Sequence, residues 1–276
     1  MKYLKNIVKN HCSIKYIYII IIFFNFIYFS LNSISIGKYP YIKRLINGNY
    51  IILSNTKIAF TDSTLQTEIN SIALDNIYGD KTDNIGSTTV SQFKENDGGY
   101  IIAILNQTLF IFSKTGIHQA NTTISFINPI NTCSVIPKNQ LENNFYYFTI
   151  IYTYCESTGE NDCKNIKFKQ GKFDANLKTI NFNESQSKSF TPDSYHITSE
   201  KFFGTISCNI MKNNSEEYIV CLYGNENNFI ISIFDPLNYE EVSYKKYNGF
   251  GGQYFKSLIL PNEYQLLLFC SHKAKA

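Results

Sequence analysis

The chain has 276 residues, 25 Lys+Arg against 22 Asp+Glu, a formal net charge of +3 and no tryptophan. Four of the lysines precede residue 16, so the remainder carries 21 basic against 22 acidic side chains and offers no basic face. That balance excludes nucleic acid as the expected partner. About 240 residues follow the leader, enough for one large β domain with a sizeable core.

Residues 1–35 contain Lys2, Lys5, Lys9 and Lys15 and no acidic residue. An apolar run, YIYIIIIFFNFIYF from Tyr16 to Phe29, follows them and is interrupted by Asn25. Ser30, Asn32, Ser33 and Ser35 come next, and Ser33-Ile34-Ser35 is a small-x-small cleavage site. A basic lead, a short apolar core and small residues beyond it are the parts of a secretory signal. The run is shorter than the roughly 20 residues a spanning helix needs. Extended to Leu31 or Ile36 it spans as a type II anchor, with the lysines holding its start in the cytosol. Cleaved signal and uncleaved anchor (membrane contact through residues 16–36) both stay open, and both put residue 40 onward outside the cytosol.

Beyond the leader a pattern repeats. NGNYIILSNTKIAFTDSTL, from Asn47 to Leu65, matches DGGYIIAILNQTLFIFSKTG, from Asp97 to Gly116, so that Tyr50 falls on Tyr100. EYIVCLYGNENNFIISIFDPL, from Glu217 to Leu237, repeats it with Tyr218 and Phe234-Asp235-Pro236. Weaker copies start at Asn144-Phe145-Tyr146 and Asn262-Glu263-Tyr264. Each unit holds a polar turn, an aromatic, two apolar runs and a second turn. A strand-like stretch lies upstream of each, at 39–46, 88–94, 132–137, 205–211 and 254–260. Another lies downstream, at 66–74, 117–127 and 239–247. β-branched and aromatic enrichment bounded by turn residues reads as strands. In the third unit the extra length falls in residues 181–199, which read as an exposed inter-strand loop.

Four short strands every 45 to 50 residues or so is the mark of a propeller blade. On these residues the chain resembles β-propellers as an architecture, over about residues 39–270, and in composition the β-propeller-like ectodomains of secreted or surface proteins from AT-rich protists. No Gly-His/Trp-Asp pair or kelch glycine set accompanies the resemblance. The expected fold is all-β: a β-propeller-like repeat of four-stranded antiparallel blades, about four and a half units, after an N-terminal apolar helix. A β-sandwich is the alternative. The half unit and the open sheet edge it implies lead to the expectation of a truncated product. The expected domains are 1–35 as signal or anchor, 39–270 as the β domain and 271–276 as a frayed tail.

Six cysteines lie outside the leader, an even number that suggests disulfides in a secreted chain. Cys155 and Cys163 bracket one polar turn, and Cys208 and Cys221 bracket another on adjacent strands. Antiparallel neighbours reach the separation a disulfide needs. Cys133 and Cys270 remain, and buried reduced thiols are the competing reading for all six. N-x-[ST] occurs at Asn106, Asn121, Asn183 and Asn213, of which Asn106 and Asn213 fall in expected turns.

Nothing in the sequence assembles a catalytic, cofactor or metal site. His118 and His196 belong to no motif, and no C-x-x-C or G-x-S-x-G occurs. Residues 80–86 miss the calcium-loop spacing. Gly249-Phe250-Gly251-Gly252 lacks the lysine of a phosphate loop. Glu216-Glu217 and Glu240-Glu241 point to opposite faces of a strand and form no dyad. Aromatics at repeat-equivalent positions read as packing, which leaves Tyr195 and Tyr239 as the off-pattern candidates for a binding surface. The expected function is an extracellular interaction module in the secretory pathway, with a protein or glycan ligand and no cofactor. A propeller-type glycosidase and a non-functional fragment of a larger surface protein are the alternatives.

Overall fold

The computed structural model describes residues 41–54, 56–74, 88–94, 99–105, 107–124, 133–142, 144–154, 165–192, 206–213, 216–224, 228–248, 254–259 and 266–271. The expected leader and anchor lie outside them. Among the described residues no helix is long and apolar enough to cross a membrane. The chain divides into two compact units, Met1–Asp83 and Asn84–Ala276.

The first unit holds one sheet. Its strands are β1 (Tyr41–Arg44), β2 (Tyr50–Leu53), β3 (Lys57–Thr61) and β4 (Glu68–Ala73), antiparallel neighbours in chain order. Alternation along β2 and β3 puts Ile52 and Ala59 on one face, where Ile42, Tyr50 and Leu65 join them. β4 is exposed along most of its length.

The second unit repeats this plan. The second sheet is β5 (Thr88–Gln92), β6 (Ile101–Leu105), β7 (Thr108–Phe112) and β8 (His118–Thr123). The third is β9 (Cys133–Glu142), β10 (Phe145–Tyr154), β11 (Asn165–Asp174) and β12 (Thr179–Phe190). The fourth is β13 (Ser207–Asn213), β14 (Glu216–Gly224), β15 (Asn228–Phe234) and β16 (Glu241–Asn248). A hairpin of β17 (Tyr254–Ile259) and β18 (Leu266–Ser271) follows. Every sheet is an antiparallel meander, and the fold is all-β and propeller-like. Each upstream, central and downstream stretch expected from the repeat contains a strand among the described residues.

Two gradients give the second unit its blade character. The middle strands are the most buried, β6 and β7 without an exposed residue, whereas half of the fourth strand β8 and most of the fourth strand β16 face water. The first strands converge: β5 approaches β9, β9 approaches β13, and β13 approaches β17. The third sheet consequently packs on both faces. Phe148, Ile150 and Tyr152 of β10 join Ile102, Ile104, Leu109 and Ile111 of the second sheet. Ile151 of β10 and Phe168 of β11 join Ile219, Tyr223 and Phe234 of the fourth. Between these inner strands the buried N–H of Cys208 donates to the Ser134 hydroxyl at 2.9 Å.

One turn is built four times. At its head an oxygen side chain accepts backbone N–H groups: Asp62 from Thr64 and Gln66, Ser113 from Thr115 and Ile117, Asp174 from Asn176 and Leu177, Asp235 from Leu237. Three or four residues on, a left-handed residue closes it: Leu65 (φ 61°), Gly116 (φ 85°), Lys178 (φ 53°) and Tyr239 (φ 58°). Asp and Ser bond their own backbone two residues ahead, which makes such turns local and self-supporting. In the first, second and fourth sheets a one-residue bulge follows on the outer strand.

The third sheet departs from that pattern and corrects the first part of the loop expected at 181–199, residues 193–199 lying outside the described residues. Residues 179–190 form β12, the longest strand, whose Phe182 and Asn183 pair with Gly171 and Gln170. Pairing resumes at Phe168 with Lys188, so residues 184–187 stand opposite Lys169 alone. An outer strand needs no apolar alternation on its solvent face, which is why Asn and Ser carry it. On the other side of the sheet, β9 is bulged opposite Tyr147.

Candidate binding surface at the junction of the third and fourth sheets

Tyr239 is the centre of this junction. It sits in the left-handed position of the fourth sheet's turn, yet it is 2% exposed. Its ring stacks on Phe168 of β11, centroids 5.0 Å apart and planes 15° apart, and Phe234 meets Phe168 edge-on at 4.9 Å. Its hydroxyl lies 2.9 Å from the Thr149 hydroxyl and accepts from the Gln170 amide at 3.3 Å. Lys138 places its ammonium 5.7 Å from the ring centroid. The reading of Tyr239 as a surface aromatic is thereby corrected. The turn plugs the side chain into the neighbouring sheet, where its hydroxyl is satisfied as a buried phenol must be.

A cleft opens on each side of this plug. The inner one, about 160 Å³, has Ile136, Ile210, Ile219 and Pro236 in its lining, with Thr149 beside them. Lys138 and Glu217 bring opposite charges to it, and Leu237, 85% exposed, lines it from the turn. Glu217 also pairs with Lys212 at 3.5 Å.

The outer cleft, about 390 Å³, belongs to the third sheet. Strand register puts Tyr147, Lys172 and Asn181 in one row across β10, β11 and β12, and Thr149, Gln170 and Asn183 in the next. Tyr147, Gln170, Lys172, Asn181 and Asn183 line the cleft, as does Gln186 from the bulge. Gly171 supplies lining without a side chain. A Cβ there would lie 2.5 Å from the Phe148 ring. Behind it Lys169 pairs with Glu184 at 2.5 Å and lies 4.8 Å from the Phe182 centroid. Both bulges of the third sheet border these clefts, Lys138 coming from the one in β9 and Gln186 from the one in β12. Bulges re-aim side chains, and they recur beside functional sites for that reason.

The residues singled out from sequence are scattered by comparison. Cys208 and Cys221 are directly opposed on β13 and β14 and form a disulfide, Cα to Cα 4.1 Å. Cys155 and Cys163 lie outside the described residues, as do Asn106, Tyr195 and His196. Cys133 is buried on β9. Asn121 is exposed on β8, Asn183 is exposed at the edge of the bulge, and Asn213 is the last residue of β13. His118 stands edge-on to Phe110 and Phe112, and burial lowers its pKa despite help from Ala120 and Asn121. Among the described residues no three His, Cys, Asp or Glu side chains cluster as metal ligands, and neither cleft has a histidine, a cysteine or a pair of carboxylates in its lining. What sequence reasoning missed was the pair of clefts; the one signal for them was the extra length of the third unit.

No family model matches the chain, and no curated protein matches it. Among solved structures it is similar to the WD40 domain of SCAP from fission yeast, at 9% identity and a TM-score of 0.45 over 78% of this chain and 46% of that one. The Dos1 propeller is similar at 12% identity and a TM-score of 0.44, over 79% and 50%. A protein of unknown function from Bacteroides caccae is similar at 11% identity and 0.43, over 78% and 61%. The chain thus spans less than two thirds of each of these structures.

Proposed function

We propose that this chain is an interaction module of the secretory pathway, secreted or anchored through residues 16–36, that takes a protein partner at the inner cleft. One observation carries the reading. Large apolar side chains stand in water at the turn between third and fourth strands in three successive sheets: Ile117 at 57%, Leu177 at 73% and Leu237 at 85% exposure. Single exposed apolar side chains are ordinary, but their recurrence at the same turn of three successive sheets favours a partner that covers them. Loops on a rigid scaffold are where recognition concentrates. At Leu237 the apolar inner cleft continues inward, with Lys138 and the Lys212-paired Glu217 in its lining. The Cys208–Cys221 disulfide supports an oxidising compartment.

The test is a displayed peptide library panned against the secreted full chain. Enriched peptides are expected to share an aliphatic residue and to lose affinity at least tenfold (about 1.4 kcal/mol) against Leu237→Asp. Failure to enrich any sequence, or equal affinity for that variant, counts against the reading. For the compartment, translation with microsomes is expected to leave the body protected from protease. Complete digestion would refute that part.

A further inference from the structure

We propose that the outer cleft of the third sheet binds a neutral saccharide. Its volume, about 390 Å³, falls in the range of small-molecule sites, roughly 300–1,000 Å³. Four carboxamides line it, those of Gln170, Asn181, Asn183 and Gln186. Each carboxamide carries an acceptor and two donors in one plane. Vicinal hydroxyls, which both donate and accept, match that pattern, whereas a cation uses the carbonyl oxygens alone and an aliphatic chain uses neither.

Most of this capacity is unspent. Gln170 uses one donor on Tyr239, and Asn183 uses its oxygen on the Ser185 hydroxyl at 2.8 Å. The carboxamides of Asn181 and Gln186 bond to no protein group among the described residues. Tyr147 adds an aromatic ring with a polar tip, suited to the C–H face of a sugar and to one of its hydroxyls. Lys172 adds a donor whose charge is already held 4.6 Å from the Phe145 centroid. No carboxylate lines the cleft, since Glu184 is taken up by Lys169.

The cleft is also a built feature of the third sheet. The third sheet lacks the turn-adjacent one-residue bulge of the first, second and fourth sheets and has instead, farther along β12, the four-residue bulge that contributes Gln186. Gly171 lines the cleft through its backbone, the missing side chain being on the Phe148 face of the sheet. This site is separate from the apolar inner cleft and stands whether or not a protein docks there.

The full chain exported to a bacterial periplasm forms its disulfide and carries no glycan on Asn183, which keeps the cleft open. Saturation-transfer NMR and calorimetry would then use N,N′-diacetylchitobiose, lactose, maltose and mannobiose as probes. At least one is expected to bind with a Kd between about 10 µM and 10 mM. Asn181→Ala, an exposed change that leaves folding intact, is expected to weaken it at least tenfold, and Tyr147→Ala likewise, with Asn121→Ala as the unaffected control. The proposal fails if none of the four sugars binds. It fails equally if Asn181→Ala and Tyr147→Ala bind as the parent does, or if Asn121→Ala weakens binding as much.

Discussion

The hydroxyls of Tyr239 and Thr149 are 2.9 Å apart although the residues are 90 positions apart in the chain, and both are buried. A turn of the fourth sheet is thereby tied into the middle of the third. Tyr239→Phe keeps the stack on Phe168 and removes the bonds to Thr149 and Gln170. The expected loss is about 1 kcal/mol, because a net hydrogen bond contributes roughly 0.5–1.5 kcal/mol and two buried polar partners are left behind. Urea denaturation measures it, and an unchanged midpoint would dissociate the hydroxyl from the packing of the two sheets.

Gly171 is fixed by packing rather than by backbone conformation. An added Cβ meets two atoms of the Phe148 ring at 2.5 Å, and Phe148 lies directly across the strand pair. Gly171→Ala is expected to destabilise by about 1–3 kcal/mol, the usual cost of overpacking. Phe148→Leu in the same chain should return part of that loss. A double-mutant cycle with no coupling would contradict the contact.

The disulfide makes a prediction of different origin. Cys208 and Cys221 are separated by 13 residues, and a loop of about that length corresponds to roughly 3 kcal/mol of chain entropy. Cys208→Ser with Cys221→Ser is expected to lower stability by about 2–4 kcal/mol. The parent chain should yield a peptide pair joined through these two residues before reduction. Two unlinked thiols there would oppose the pairing.

Tyr152 on β10 gives a test at alkaline pH. Burial, then the charges of Glu184 and Tyr154, push its phenol from 10.0 up to about 12. A folded-state pKa above the unfolded one means stability fully present below pH 10 and lost as pH rises towards 12. Tyr152→Phe is therefore expected to flatten the decline of the denaturation midpoint across that window. Identical slopes in the two proteins would place Tyr152 in contact with water.

How legible was this in the sequence? Strand positions were, because the inner strands bury both faces and must be apolar: Tyr50, Tyr100 and Tyr218 each mark the approach to or the start of one, and Phe60, Phe112 and Phe234 the close of the next. Cys208 and Cys221 were legible for a local reason, since a hairpin brings near neighbours together. β12 was not, because an exposed outer strand places no apolar demand on Ser185 or Gln186, and composition alone reads as loop. The inward role of Tyr239 was hidden by distance in sequence. Its left-handed turn position is shared with Leu65 and Lys178, neither of which is a glycine that would mark it. A residual signal existed in Asp235, whose spacing to Tyr239 equals that of Asp174 to Lys178.

Amide hydrogen exchange read by mass spectrometry tests the repeated four-stranded plan most directly. Slow exchange is expected over the buried second and third strands, β2–β3, β6–β7, β10–β11 and β14–β15. Fast exchange is expected over the water-facing fourth strands β4, β8 and β16. Protection that is uniform along the chain, or greatest in those outer strands, would contradict it.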